Sequence, residues 1–185
     1  MTYEDFKKSL NTFFKPYGFR RHSTHFHCEA SDGVMVVFGV YKSVYDTDLC
    51  YMEYGYAFKE ICEQWPYPRV NYLHLNCGRI HLPNRNNIHL SAMDDEEFKQ
   101  FCELLESLVK PALEVARLGK EGIKQAYFIE KKYDYFYVTG PNALKLFGLT
   151  REEVMPHSVF SDRSLEPPKK TLSLIHISEP TRRTP

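Results

Sequence analysis

The feature that most constrains this chain is a pair of neighbouring runs in which large apolar residues return at every second position. Residues 34–41 place Val34, Val36, Phe38 and Val40 on one face, and residues 49–58 do the same with Met52, Tyr54, Tyr56 and Phe58. Period two is the mark of strands with one buried face; on a helix the same side chains would scatter around the circumference. A third run, 24–29, precedes them, and the breaks at 30–33 and 43–48 are short and polar. Three strands with such connections form an antiparallel meander. Its apolar face then needs a cover.

Two segments of helical period supply one. Tyr3, Phe6, Leu10, Phe13, Phe14 and Tyr17 recur at steps of three or four, Thr2 and Asp5 form a capping box, and Pro16 and Gly18 stop the helix near Lys15. Further on, Phe98, Phe101, Cys102, Leu105, Leu108, Val109, Ala112, Leu113 and Ala116 form a second stripe behind Asp94 and Glu97. Pro111 is expected to kink or split that helix, and Gly119 to end it. The fold expected is α+β: two layers, with an antiparallel sheet of about four to five strands and the N-terminal and central helices packed on one face. Phe6, Leu10, Phe13, Val36, Phe38, Phe101, Leu105 and Leu108 are the expected core.

The remaining segments carry weaker signals. Trp65-Pro66-Tyr67-Pro68 predicts a loop across the surface, and 78–82 a short strand. Residues 122–138 read as strand or helix, with strand favoured in the second half, and 142–147 and 151–155 as short helical turns.

Charge excludes more than it suggests. Lys+Arg and Asp+Glu stand at 24 each, with 43% hydrophobic and 15% aromatic residues, so a disordered or strongly basic chain is ruled out and nucleic acid is not an expected partner. No uncharged apolar run approaches the ~20 residues a membrane helix needs, and the N-terminus carries no secretory signal, so a cytoplasmic protein with no membrane association is expected. Five cysteines without CxxC pairs suit reduced, buried thiols. There is no G-x-G-x-x-G or G-x-x-x-x-G-K-[ST] loop, so no nucleotide or other cofactor is expected.

Three constellations have chemical potential. His22, His25, His27 and Cys28 invite a metal or thiol reading, but alternation sends Cys28 away from the histidines, leaving His25 and His27 as weak metal candidates on a solvated face with Phe26 and Cys28 inward. No catalytic residue is assigned. Arg20 and Arg21, with Lys15, lie in a helix–strand connection able to meet an acidic surface. Tyr51, Glu53 and Gly55 share the outer face of their strand, with Tyr45 in the adjoining loop and Trp65 and Tyr67 nearby. Tyrosine and tryptophan join large apolar area to a polar tip, which suits interaction surfaces.

The order of signals across FKKSLNTFFKPYGFRRHSTHFHCEASDGVMVVFGVYKSVYDTDLCYMEYGYAF resembles a bacterial family known as domain of unknown function 4304. The carriers are a helix ending in K-P-Y-G-F-R-R at 15–21, a strand, then V-x-K-S at 40–43 leading into an aromatic strand. The long helix after Gly78-Arg79-Ile80 also fits, so the resemblance spans about residues 1–120. It implies a small α+β domain and no functional residues. At the other end, residues 172–182 read LSLIHISEPTR, which looks like a translated sequencing adapter. The expected organisation is one domain over 1–160, truncated at its C-terminus, and a tail over 161–185 of which 171–185 is artefactual. The functional expectation is a non-catalytic protein-binding module working through its aromatic sheet face, the immunity type that inhibits toxins being one version of it. The alternative is a metal-dependent or thiol enzyme centred on His22, His25 and His27.

Overall fold

Thr2 starts the first helix as its spacing predicts. In the computed structural model, which describes residues 1–82, 87–133, 136–139, 141–154 and 159–161, the Thr2 hydroxyl accepts a hydrogen bond from the Asp5 amide at 3.1 Å, and α1 runs Tyr3–Phe14. The meander follows as β2 (His25–Ser31), β3 (Val34–Lys42) and β4 (Leu49–Phe58). Its register sets Val36 against Tyr56 and Phe38 against Tyr54, so the expected apolar faces align. Strands expected near 78–82 and in the second half of 122–138 are present as β5 (Leu75–Arg79) and β7 (Tyr137–Thr139), and the sheet is larger than expected because β1 (Arg20–His22), β6 (Ile88–His89) and β8 (Val159–Ser161) bring it, among the described residues, to eight strands in the order β1-β2-β3-β4-β5-β7-β8, with β6 also on β4. These three additions hold only two or three residues each, too few to display a period. The β7–β8 pair is parallel and the other pairs are antiparallel.

Helix α2 spans Asp95–Arg117 behind an Asp94 cap whose carboxylate accepts from the Glu97 amide at 2.8 Å. It continues through Pro111 without splitting: Leu105 and Val109 before the proline, and Ala112, Leu113 and Ala116 after it, are all buried, and that packing outweighs one missing hydrogen bond. Gly119, at φ +72°, turns the chain out of α2. The next stretch is helical in its first half, as α3 (Gly119–Lys124) and a wide turn over Gln125–Ile129, and becomes strand only at β7. Helices α4 (Pro141–Phe147) and α5 (Arg151–Val154) match the two predicted turns. Among the described residues, no helix is long and apolar enough to cross a membrane. Apart from Ser161, the expected tail lies outside the described residues.

The inner face of the sheet meets α1 and α2. Phe14 touches Phe26, Phe19 and Phe38 at ring-centroid distances of 4.7, 5.0 and 5.0 Å. Of the expected core, Phe6, Leu10, Val36, Phe38, Phe101 and Leu105 are fully buried, while Phe13 and Leu108 pack at its edge. On the outer face a second, smaller core joins Met35, Val37 and Ala57 to Val70 and Leu73. The latter two come from residues 59–74, a strap of short turns laid across the sheet.

Candidate functional site

The strap determines what the outer face can do. Val70, buried completely, lies on Gly39 of β3, where an added Cβ would come within 2.7 Å of the Val70 methyl. A glycine inside a strand often marks such a close approach. The strap is anchored by His74. Its Nδ1 accepts the Phe58 amide at 3.1 Å and its Nε2–H donates to the Ile61 carbonyl at 3.2 Å. Nδ1 can accept only in the neutral ring, so the two bonds together require it, and burial pushes its pKa down to about 4.

Between strap and sheet lies a cleft of about 440 Å³. The β1–β2 turn contributes His22, Ser23 and Thr24, and β2 contributes His25 and His27. Tyr41 of β3 and Tyr67, Arg69 and Asn71 of the strap complete it. Cross-strand register explains the grouping: His22 pairs with His25, and His25 with Gly39, so their side chains share the outer face. Tyr67 stands edge-on to His22 at 4.2 Å between ring centroids and faces His27 at 5.8 Å.

His25 and His27 are therefore not on a solvated face, while His22 stays exposed at the rim. His27 is only 6% exposed and its Nε2 donates to the Pro68 carbonyl at 2.9 Å. With that proton on Nε2, Nδ1 of the neutral ring is a bare acceptor, and it is buried without a hydrogen bond of good geometry. His25 is half-buried beside the Thr24 hydroxyl at 3.1 Å, and its pKa falls to about 4, first through burial and then through the charges of His27, Arg69 and His22. The expectation of exposure failed because the strap that covers these side chains has no periodic signal. Phe26 does point inward, and Cys28 lies below the sheet with its thiol toward the Tyr17 carbonyl at 3.7 Å.

The remaining candidates separate. Arg20 shares the outer face with His22, whereas Arg21 faces the other way, where its charge acts on Tyr3 and Glu4 of α1. Tyr45 is 97% exposed at the tip of the β3–β4 loop. Tyr51 lies under the Arg79 guanidinium at 4.1 Å, and Glu53 pairs with the same arginine at 3.5 Å. These two sit near a second cleft of about 540 Å³ lined by Glu53, Asn76, Cys77, Arg79, His81 and Tyr137 among others. Trp65 packs into the strap's own core, with Lys59 Nζ 5.9 Å from its ring centre. Of the aromatic set, only Tyr67 faces the histidine cleft. Sequence reasoning missed Arg69, Asn71 and Tyr41; the signal for all three was Gly39, a gap in a strand that a covering segment must fill.

Thiol chemistry finds no support in the surroundings of the cysteines. Burial pushes the Cys50 and Cys102 thiols up to about 11 and Cys77 up to about 12, the opposite of what a thiolate nucleophile needs. Cys77 instead shares a hydrogen bond with the Tyr127 hydroxyl at 3.2 Å, which in turn donates to Tyr56. Among the described residues, no group of three or more His, Cys, Asp or Glu side chains is placed to hold a metal ion.

No match was found among curated proteins or among solved structures. The family model described as Domain of unknown function (DUF4304) matches residues 10–117, from within α1 to the last residue of α2 and more than half of the chain, and the chain belongs to that family.

Proposed function

We propose that this domain is a non-catalytic binding module whose partner is another protein, and that the partner engages the outer face of the sheet at the histidine cleft. The observation that carries the reading is Tyr67: 52% exposed, held at the rim by the strap, its ring packed edge-on against His22 beside an open cleft. Large aromatic side chains fixed beside a concavity dominate protein interfaces because they bury much area while losing little conformational freedom. An immunity-type role, in which the partner is a toxin domain held inactive by this module, is one form this binding would take.

The test is co-purification with the products of neighbouring genes, comparing parent, Tyr67→Ala and Tyr45→Ala. Truncating a central aromatic anchor costs about 2 kcal/mol or more, roughly thirtyfold in affinity. Loss of the partner with Tyr67→Ala, and retention with Tyr45→Ala, is the expected result. A partner held equally by all three would refute the assignment of this face.

A further inference from the structure

Resting on that reading, we propose that the cleft receives a carboxylate of the partner protein, with Arg69 as the fixed positive contact and His25 as the group that takes up a proton when the carboxylate enters. The lining is one-sided in its chemistry. It offers a guanidinium, three imidazoles, the hydroxyls of Ser23, Thr24 and Tyr67 and the Asn71 amide, with the Tyr41 ring beside them, and it contains no Asp or Glu. The nearest carboxylate on the adjoining strand, Glu53, is engaged by Tyr41 and Arg79 instead. Arg69 is exposed, and its side chain meets no carboxylate among the described residues, while its amide is pinned to the Gln64 side chain at 3.1 Å. The backbone is held and the guanidinium is left available.

A carboxylate fits this set better than a phosphate. A guanidinium binds a planar carboxylate through two parallel N–H···O bonds. Arg69 is the one permanent cation of the lining, so a singly charged group meets its full counter-charge before any histidine takes up a proton, whereas a phosphate dianion is balanced only once a buried ring has been protonated as well. The same count disfavours nucleic acid, whose affinity grows with the number of phosphates neutralised.

Proton uptake follows from position. The groups facing His25 are His22 and Arg20 from β1, His27 from β2, Tyr41 from β3, and Tyr67 and Arg69 from the strap. The charges among them that act on His25, those of His27, Arg69 and His22, all favour its neutral ring. A carboxylate placed beside Arg69 reverses that balance. A nearby opposite charge raises a histidine pKa by about one unit or more, so from its free value of about 4 the complex binds more protons than its parts only in the acid range, and affinity increases as pH falls from about 6 toward 4.

The experiment uses the full chain and an acetylated, amidated hexaglutamate peptide at low salt, with imidazole nitrogen resonances followed through a pH titration. Expected are saturable shifts of the His25 signals and a rise of its midpoint by about one unit, both lost in Arg69→Gln. Absence of a saturable shift, or one that persists in Arg69→Gln, overturns the proposal. So does inorganic phosphate producing the same midpoint rise at equal concentration. A neighbouring-gene partner whose capture needs Tyr67 but survives Arg69→Gln would leave the protein-binding reading standing and overturn this one.

Discussion

The two faces of one sheet have opposite characters. On the inner face Phe38 is fully buried between the rings of Phe14, Phe19 and Tyr54 at 5.0–5.7 Å, under two amphipathic helices. Its neighbour Gly39 points outward, under a strap that covers part of the face and leaves a polar cleft beside it. Strand alternation is the same on both sides. What differs is the cover: helices bury a face wholesale through periodic apolar stripes, while an irregular strap buries it in patches and leaves polar side chains half enclosed. Half enclosure is where histidines lose their ordinary titration and where a partner finds donors already oriented.

Breaking the inner face has the largest expected effect. Phe38→Ala removes a fully buried ring from the middle of the aromatic cluster and is expected to cost ~3–5 kcal/mol in chemical unfolding; a cost below about 1 kcal/mol would mean that the faces are reversed.

Breaking the strap's anchor comes next. His74→Leu strands the buried Phe58 amide and the Ile61 carbonyl, for about 2–4 kcal/mol at pH 7. Its effect also depends on pH. The folded His74 titrates near 4, below its ordinary value of 6.5, so the unfolded chain takes up the proton first as pH falls. Stability is complete above pH 6.5 and declines by roughly 3 kcal/mol toward pH 4. Unfolding curves of parent and His74→Leu measured across that window should therefore converge on acidification. A constant gap would show that His74 is not held neutral.

Third is the contact between strap and strand. Gly39→Ala drives a methyl against Val70 and His25 at 2.7–2.9 Å and should cost ~1–3 kcal/mol. Adding Val70→Ala should recover part of that cost, because the two changes act on one contact. Strict additivity would mean that Val70 does not lie on Gly39. The smallest effect is expected at Tyr45, almost fully exposed, where Ala should change stability by less than about 0.5 kcal/mol.

The inner face was legible because its signals are periodic. Val34, Val36, Phe38 and Val40 lie on one side of β3, the four partners of β4 face them in register, and both long helices begin at the residues that cap them. The short strands β1, β6 and β8 were not legible, and β5 begins at Leu75 rather than Gly78, since its place is set by pairing with β4 and not by a pattern of its own. The candidate site was half legible. His22, His25 and His27 were visible as a cluster; the common face of His25 and His27 followed from alternation, whereas that of His22 depends on its pairing with His25 across β1 and β2. The burial of His25 and His27, and the arrival of Tyr67 and Arg69, depend on a strap whose path is set by long-range contacts: Val70 on Gly39, and His74 between Phe58 and Ile61. Trp65 illustrates the same limit, since its aromatic bulk suggested a partner surface and serves the strap's own packing.

The central claim is that the strap encloses the outer face and makes a built cleft of it, and the most direct test is the titration of His25 in the unliganded protein, followed by its imidazole nitrogen resonances. Enclosure beneath the strap, beside His27, Arg69 and His22, predicts a midpoint of about 4. A midpoint near the ordinary 6.5 would place His25 in open solvent and contradict the account.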